Sequence, residues 1–159
     1  MAWRNKDEIL IKTPEEIDGI RKSSKLAASI LDFIEPYVLP GVTTIELDNM
    51  MNVYIKQNGG ISACINYHGY PRYTCISVND VVCHGIPSEK QILKDGDIVN
   101  IDVTTIVDGY FGDTSRMYLV GNVSREAKKL VETTKACLDI GIEQIRPGNH
   151  FGNIGYEIA

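Results

Sequence analysis

The sequence predicts an α+β domain, with helices and antiparallel strands segregated along the chain rather than alternating. Three observations carry that expectation. Apolar residues recur at helical spacing in two segments near the N-terminus and again after Ser124. The region between them reads as short strand-like runs, punctuated by Asn79-Asp80 and by two Asp-Gly pairs. Capping boxes mark the starts of the first two helices.

The first helix opens at Thr13-Pro14-Glu15-Glu16, an N-cap followed by a proline at the first helical position and a glutamate closing the box. Ile17, Ile20, Ala27, Ile30, Leu31 and Ile34 form its apolar stripe until Glu35-Pro36 stops it. Thr43 and Glu46 cap a second helix, whose stripe is Leu47, Met50, Met51, Tyr54 and Ile55 and whose end is Gly59-Gly60. Both stripes are expected in the core. Residues 61–73 are rich in Gly, Tyr and His and show no clean period. Two strands, 75–78 and 81–84, are expected to flank a tight turn at Asn79-Asp80. Residues 93–97 lead through an Asp-Gly turn into a hairpin centred on Asp108-Gly109. The helical period returns from Ser124 to Ile145 and stops at Arg146-Pro147-Gly148, and residues 149–159 read as the start of another helix.

With 159 residues and 43% hydrophobic content, the chain is long enough for one domain with a real core. Its net charge of −5, without a block of like charges, argues against nucleic acid and anionic membranes as partners. No apolar run is long enough to cross a bilayer, and the N-terminus lacks the apolar core of a signal peptide. The four cysteines, Cys64, Cys75, Cys83 and Cys137, show no C-x-x-C pairing and read as reduced thiols of a cytoplasmic protein. Cys83-His84 is rejected as a zinc pair because neighbouring strand residues point to opposite faces.

The hairpin holds the candidate chemistry. Aspartate is depleted in strands, yet each arm carries one. If Asp108-Gly109 is a two-residue turn, Val107 faces Tyr110, Thr104 faces Asp113 and Asp102 faces Ser115. Asp102 and Asp113 then become diagonal neighbours on one face, about 7–8 Å apart at the backbone. Carboxylates at that separation suit divalent metal ions held between them. Asp102 also interrupts an apolar run (Ile98, Val99, Ile101, Val103), where a carboxylate needs a partner. The small polar residues Asn100, Thr104, Thr114 and Ser115 are expected around the pair. His84, before Gly85-Ile86-Pro87, is a second candidate, and His68 a weaker one. Cys64, Cys75 and Cys83 read as small core residues, and Cys-His-Asp catalysis is disfavoured because no cysteine has an activating context.

The segments IKTPEEIDGIRKS, IEPYVLPGVTT, YHGYPRYTCISVNDVVCHGIP, LKDGDIVNIDVT and DGYFGDTSRMYLVG, in this order, closely resemble the type I methionine aminopeptidases from about Ile11 to the last residue. The resemblance implies the first half of a pita-bread (creatinase/aminopeptidase-like) fold, with antiparallel hairpins and helices packed on one side. It implies removal of the N-terminal methionine from peptides or nascent chains whose second residue is small. It also implies two divalent metal ions (Co, Mn, Fe or Zn). Carried over, Asp102 and Asp113 match metal ligands, Asp113 the bridging one, and His84 the histidine beside the scissile amide. Cys64, Tyr67, Tyr70 and Cys75 match residues lining the methionine pocket, and Thr104 the threonine beside the ligands.

The family's remaining ligands, a histidine and two glutamates, have no counterpart before the chain stops at Ala159. Residues 1–12 are therefore expected to be an extension, 13–148 the first half of the catalytic domain and 149–159 a truncated start of the second. About half an active site is expected, with weak or partial metal binding and self-association through the exposed half-domain surface. The alternative is a non-catalytic half-domain that binds a partner chain or a peptide.

Overall fold

The first helix begins where its box directs. In the computed structural model, which describes residues 3–4 and 10–159, the Thr13 N–H donates to the Glu16 carboxylate at 2.8 Å and the Glu16 N–H donates to the Thr13 hydroxyl at 3.2 Å. This helix, α1 (Pro14–Ile34), gives way at Glu35-Pro36 to a short 3-10 turn, and α2 (Thr44–Gln57) starts on the Thr43–Glu46 box. Two short strands, β1 (Trp3–Arg4) and β2 (Leu10–Ile11), pair with each other. The rest of the expected N-terminal extension lies outside the described residues.

The main sheet is built on the hairpin β5 (Ile98–Val107) and β6 (Tyr110–Leu119), joined at Asp108-Gly109. Both turn residues are left-handed, φ 52° and 83°, as a primed hairpin turn demands. The register is the expected one: Val107 faces Tyr110, Thr104 faces Asp113 and Asp102 faces Ser115. The other edge of β5 carries two strands end to end, β3 (Ile61–Ser62) at Ile106 and Thr105, and β4 (Cys75–Val78) at Asp102 to Val99.

Along β5 burial alternates. Val99, Ile101, Val103, Thr105 and Val107 are buried and join Ile30, Ile34, Leu47, Met51 and Ile55 of the two helices in one core. Contact with α1 is close because Gly112 lies against the backbone of Ser23 and Ser24, where a methyl group would collide. There Ser23 donates its hydroxyl to the Thr105 carbonyl at 3.0 Å, and Thr105 donates to the Ser23 carbonyl at 3.0 Å. The opposite face of β5, with Asn100, Asp102 and Thr104, is left for the site. This is the expected α+β arrangement with helices on one side of antiparallel strands.

One expected strand is absent: residues 81–84 form none. Val81 bonds back to the Val78 carbonyl, but the chain then leaves the sheet edge and Val82 is 94% exposed, so pairing would bury little. Gly85 docks instead. Its carbonyl accepts from the Ile76 N–H at 2.9 Å and its N–H donates to the Ser77 hydroxyl at 3.1 Å. These bonds satisfy the backbone that a ladder would have used.

The chain divides into two units, Met1–Gly121 and Asn122–Ala159. The second consists of α3 (Arg125–Glu143) and α4 (Phe151–Ile158), which meet where Gly141 admits Ile154 and Ile158. Leu130, Leu138, Ile142 and Ile145 of the expected stripe are exposed, as are Phe151 and Tyr156. His150 caps α4, its N–H donating to the Asn153 side chain at 2.8 Å.

Candidate functional site

A cavity of about 750 Å³ opens on the polar face of β5. All eight candidate residues line it: Cys64, Tyr67, Tyr70 and Cys75 from the 61–75 region, His84 from the loop before Gly85, and Asp102, Thr104 and Asp113 from the hairpin. Strand alternation delivers the last three to one face. Thr114 falls on the other face, opposite Val103, so it does not stand beside the carboxylates as expected.

Asp102, opposite Ser115, and Asp113, opposite Thr104, are diagonal neighbours on one face of the hairpin. The Asp102 carboxyl is held above the usual carboxylate range, first by desolvation and then by the Asp113 charge, while His84 and the Val103 N–H oppose the rise. Thr104 donates its hydroxyl to Asp113 at 3.1 Å. A half-buried carboxylate beside a second one is a donor set suited to a hard divalent cation, which would relieve both the repulsion and the lost hydration. Among the described residues, no group of three or more His, Cys, Asp or Glu side chains is gathered closely enough to hold a metal ion. The pair therefore fits such an ion as two ligands of a larger set.

The wall opposite the carboxylates is fixed by backbone bonds. Buried Asp48 of α2 accepts from the Thr74 N–H and hydroxyl, both at 2.8 Å, and so anchors the start of β4. Burial raises the Asp48 carboxyl, and the bonds from Thr74 and Tyr73 oppose that rise. Tyr70 directs its hydroxyl at the carbonyls of Thr74 and Gly85, each 3.0 Å away, which ties its loop to the His84 loop. Burial drives the Tyr70 hydroxyl far above its ordinary range. Its proton is thus committed to structure, and the ring is what the cavity receives.

His84 is left-handed, φ 54°, and exposed at the cavity rim. Cys83 beside it does not line the cavity. No strand forms at Cys83-His84, so the strand-alternation reason for rejecting that pair does not hold. His68, also left-handed, and Phe111 line the cavity as well. Phe111 was legible in the sequence, because it lies two residues before Asp113 on the same arm and so shares its face.

The cysteines depart from expectation. The neighbouring Cys75 side chain brings the Cys64 thiol down to about 7; desolvation opposes this, and Thr104 assists it. The same proximity pushes Cys75 far upward. Cys64 therefore does have an activating context, supplied by a residue eleven positions away in sequence. All four cysteines are free.

The model of metallopeptidase family M24 matches residues 18–159. Among curated relatives, the methionine aminopeptidase of Escherichia coli K12 is 50% identical over 151 residues, covering 94% of this chain and 57% of that protein. Methionine aminopeptidase A of Synechocystis is 47% identical over 152 residues, covering 96% and 60%. The crystal structure of methionine aminopeptidase from Rickettsia prowazekii superposes with a TM-score of 0.90 at 46% identity, over 99% of this chain and 60% of that one. The chain thus spans 57–60% of the length of these relatives.

Proposed function

The chain belongs to metallopeptidase family M24, and on that premise we propose that it acts in methionine aminopeptidase chemistry, removing the N-terminal methionine from cytoplasmic peptides or nascent chains with a small second residue. The observation that carries this reading is the convergence of eight residues from three separate chain segments on one cavity, with two carboxylates on one face of its hairpin.

In this reading Asp102 and Asp113 would hold divalent metal ions, which when bound polarise the scissile carbonyl and activate water. The residues of this chain do the positioning. Thr104 fixes the Asp113 carboxylate by its hydrogen bond. The Tyr70 ring and the small side chains of Cys64 and Cys75 leave room for an unbranched apolar side chain, with Tyr67 at the mouth. His84 stands where it can donate to or accept from the amide as its carbonyl changes. Cobalt, manganese, iron and zinc all remain compatible with carboxylate ligands. Residues 13–148 would form the first half of the catalytic domain, after an extension over 1–12, and 149–159 would open the second half.

The test is methionine release from a Met-Ala-Ser peptide with added manganese or cobalt, with Asp102→Asn purified in parallel. Release by the wild-type chain and none by the variant is expected; equal release by both overturns the assignment of Asp102. The exposed apolar residues of α3 and α4 favour a second reading, in which this polypeptide associates with itself or with a partner chain. No release from either protein, together with a concentration-dependent increase in sedimenting mass, would favour that one.

A further inference from the structure

We propose that Cys64 and Cys75 are a redox-sensitive thiol pair in the cavity wall, closed to a disulfide by hydrogen peroxide and reopened by a dithiol. The geometry comes from β5, whose one edge is shared by two strands. β3 leaves that edge as the Ala63 N–H donates to the Thr104 carbonyl at 2.9 Å, and β4 arrives on it with Cys75 opposite Asp102. Cys64 and Cys75 thus stand side by side where one strand departs and the next begins.

Ser62 ties the two ends together. Its hydroxyl accepts from the Cys64 N–H at 3.1 Å and donates to the Tyr73 carbonyl at 2.5 Å. Both side chains line one cavity from neighbouring places on the β5 edge, so closing an S–S bond of about 2 Å needs a small approach at positions already adjacent. Both sulfurs line a cavity large enough to admit peroxide. Cys83 does not compete, since it lies outside the cavity lining.

The chemistry balances as follows. The Cys64 sulfur attacks one peroxide oxygen, the O–O bond breaks, and hydroxide leaves and is protonated to water. The Cys64 sulfenic acid that results is attacked by the Cys75 sulfur, which gives up its proton. The S–O bond breaks, a second water departs and the S–S bond forms. Two thiols have lost two hydrogens, and one peroxide has become two waters. Cys64 is the more accessible of the two thiols, Cys75 being buried, so Cys64 is the sulfur that meets peroxide first. That the closed pair would also restrict a methionine side chain rests on the proposed function; formation of the bond does not.

The test uses the full chain, hydrogen peroxide, alkylation of the surviving thiols and mass spectrometry. Two of the four thiols should be lost, the mass should fall by two hydrogens, and dithiothreitol should restore both. Trypsin should release residues 57–72 linked to 73–90. Because the second peptide carries both Cys75 and Cys83, the link is examined in two variants. It should survive in Cys83→Ser and vanish in Cys75→Ser. A link that needs Cys83, oxygen addition to Cys64 without a link, or four thiols still alkylated after peroxide would each overturn the proposal.

Discussion

The turn at Asp108-Gly109 and the turn at Asn79-Asp80 both reverse the chain, but only the first is followed by a strand. After Gly109 a ten-residue arm pairs with β5, and the separation of Asp102 and Asp113 follows from register alone. After Asp80 the chain leaves the sheet edge, and His84 is located by what captures its neighbour: the Ile76 N–H, the Ser77 hydroxyl and the Tyr70 hydroxyl, all on Gly85. The carboxylates thus ride on a cooperative ladder, and the histidine hangs from three discrete bonds. Damage to the hairpin should spread through the core, whereas damage at Gly85 should stay local.

Gly112→Ala tests the first half of that contrast. The added methyl would meet the backbone of Ser23 and Ser24, which cannot swing aside as a side chain can. α1 would have to lift from β6, disturbing the Ser23–Thr105 bonds, and a loss of about 3 kcal/mol is expected in urea unfolding. Gly85→Ala tests the second. Its methyl would meet the Ile76 carbonyl and the Ser77 Cα, equally rigid atoms, but here the loop itself can move. A global loss of about 1 kcal/mol is expected. Hydrogen exchange should quicken at the Ile76 amide and stay slow across β5 and β6. Equal losses for the two variants, or fast exchange spreading into the hairpin, would erase the distinction.

The same contrast explains what could be read from the sequence. Thr13, Glu16, Thr43 and Glu46 announced their helices because a capping box is local chemistry. Asp108-Gly109 fixed the register because both residues tolerate the left-handed region, and the register put Asp102 and Asp113 on one face. The segment 81–84 was misread because its fate is decided at a distance, by Tyr70 and Ser77 reaching Gly85. The adjacency of Cys64 and Cys75 was illegible for the same reason, since it depends on two strands sharing one edge of β5. Thr114 was within reach of the alternation rule that placed Asp113 and was still assigned to the wrong face.

The smallest expected effect lies in the hairpin and has the opposite sign. The Asp102 carboxyl is held above its ordinary value by desolvation and by Asp113, so the folded state favours its neutral form. Its contribution to stability is therefore present below the ordinary carboxylate range and is lost as pH rises through the raised value. At neutral pH, without metal, the charged pair weakens the ladder that carries it. Asp102→Asn keeps the shape and removes the charge. It should stabilise the chain at neutral pH by at most ~1 kcal/mol, because Asp102 is only half-buried and solvent screens the repulsion. The gain should shrink in acid, as pH falls through the raised value and the wild-type carboxyl takes up its proton. Thermal unfolding of both proteins in chelator at neutral and acid pH measures it. A variant less stable at neutral pH would mean that His84 and the Val103 N–H already compensate the charge, and the hairpin would then hold its two carboxylates without strain.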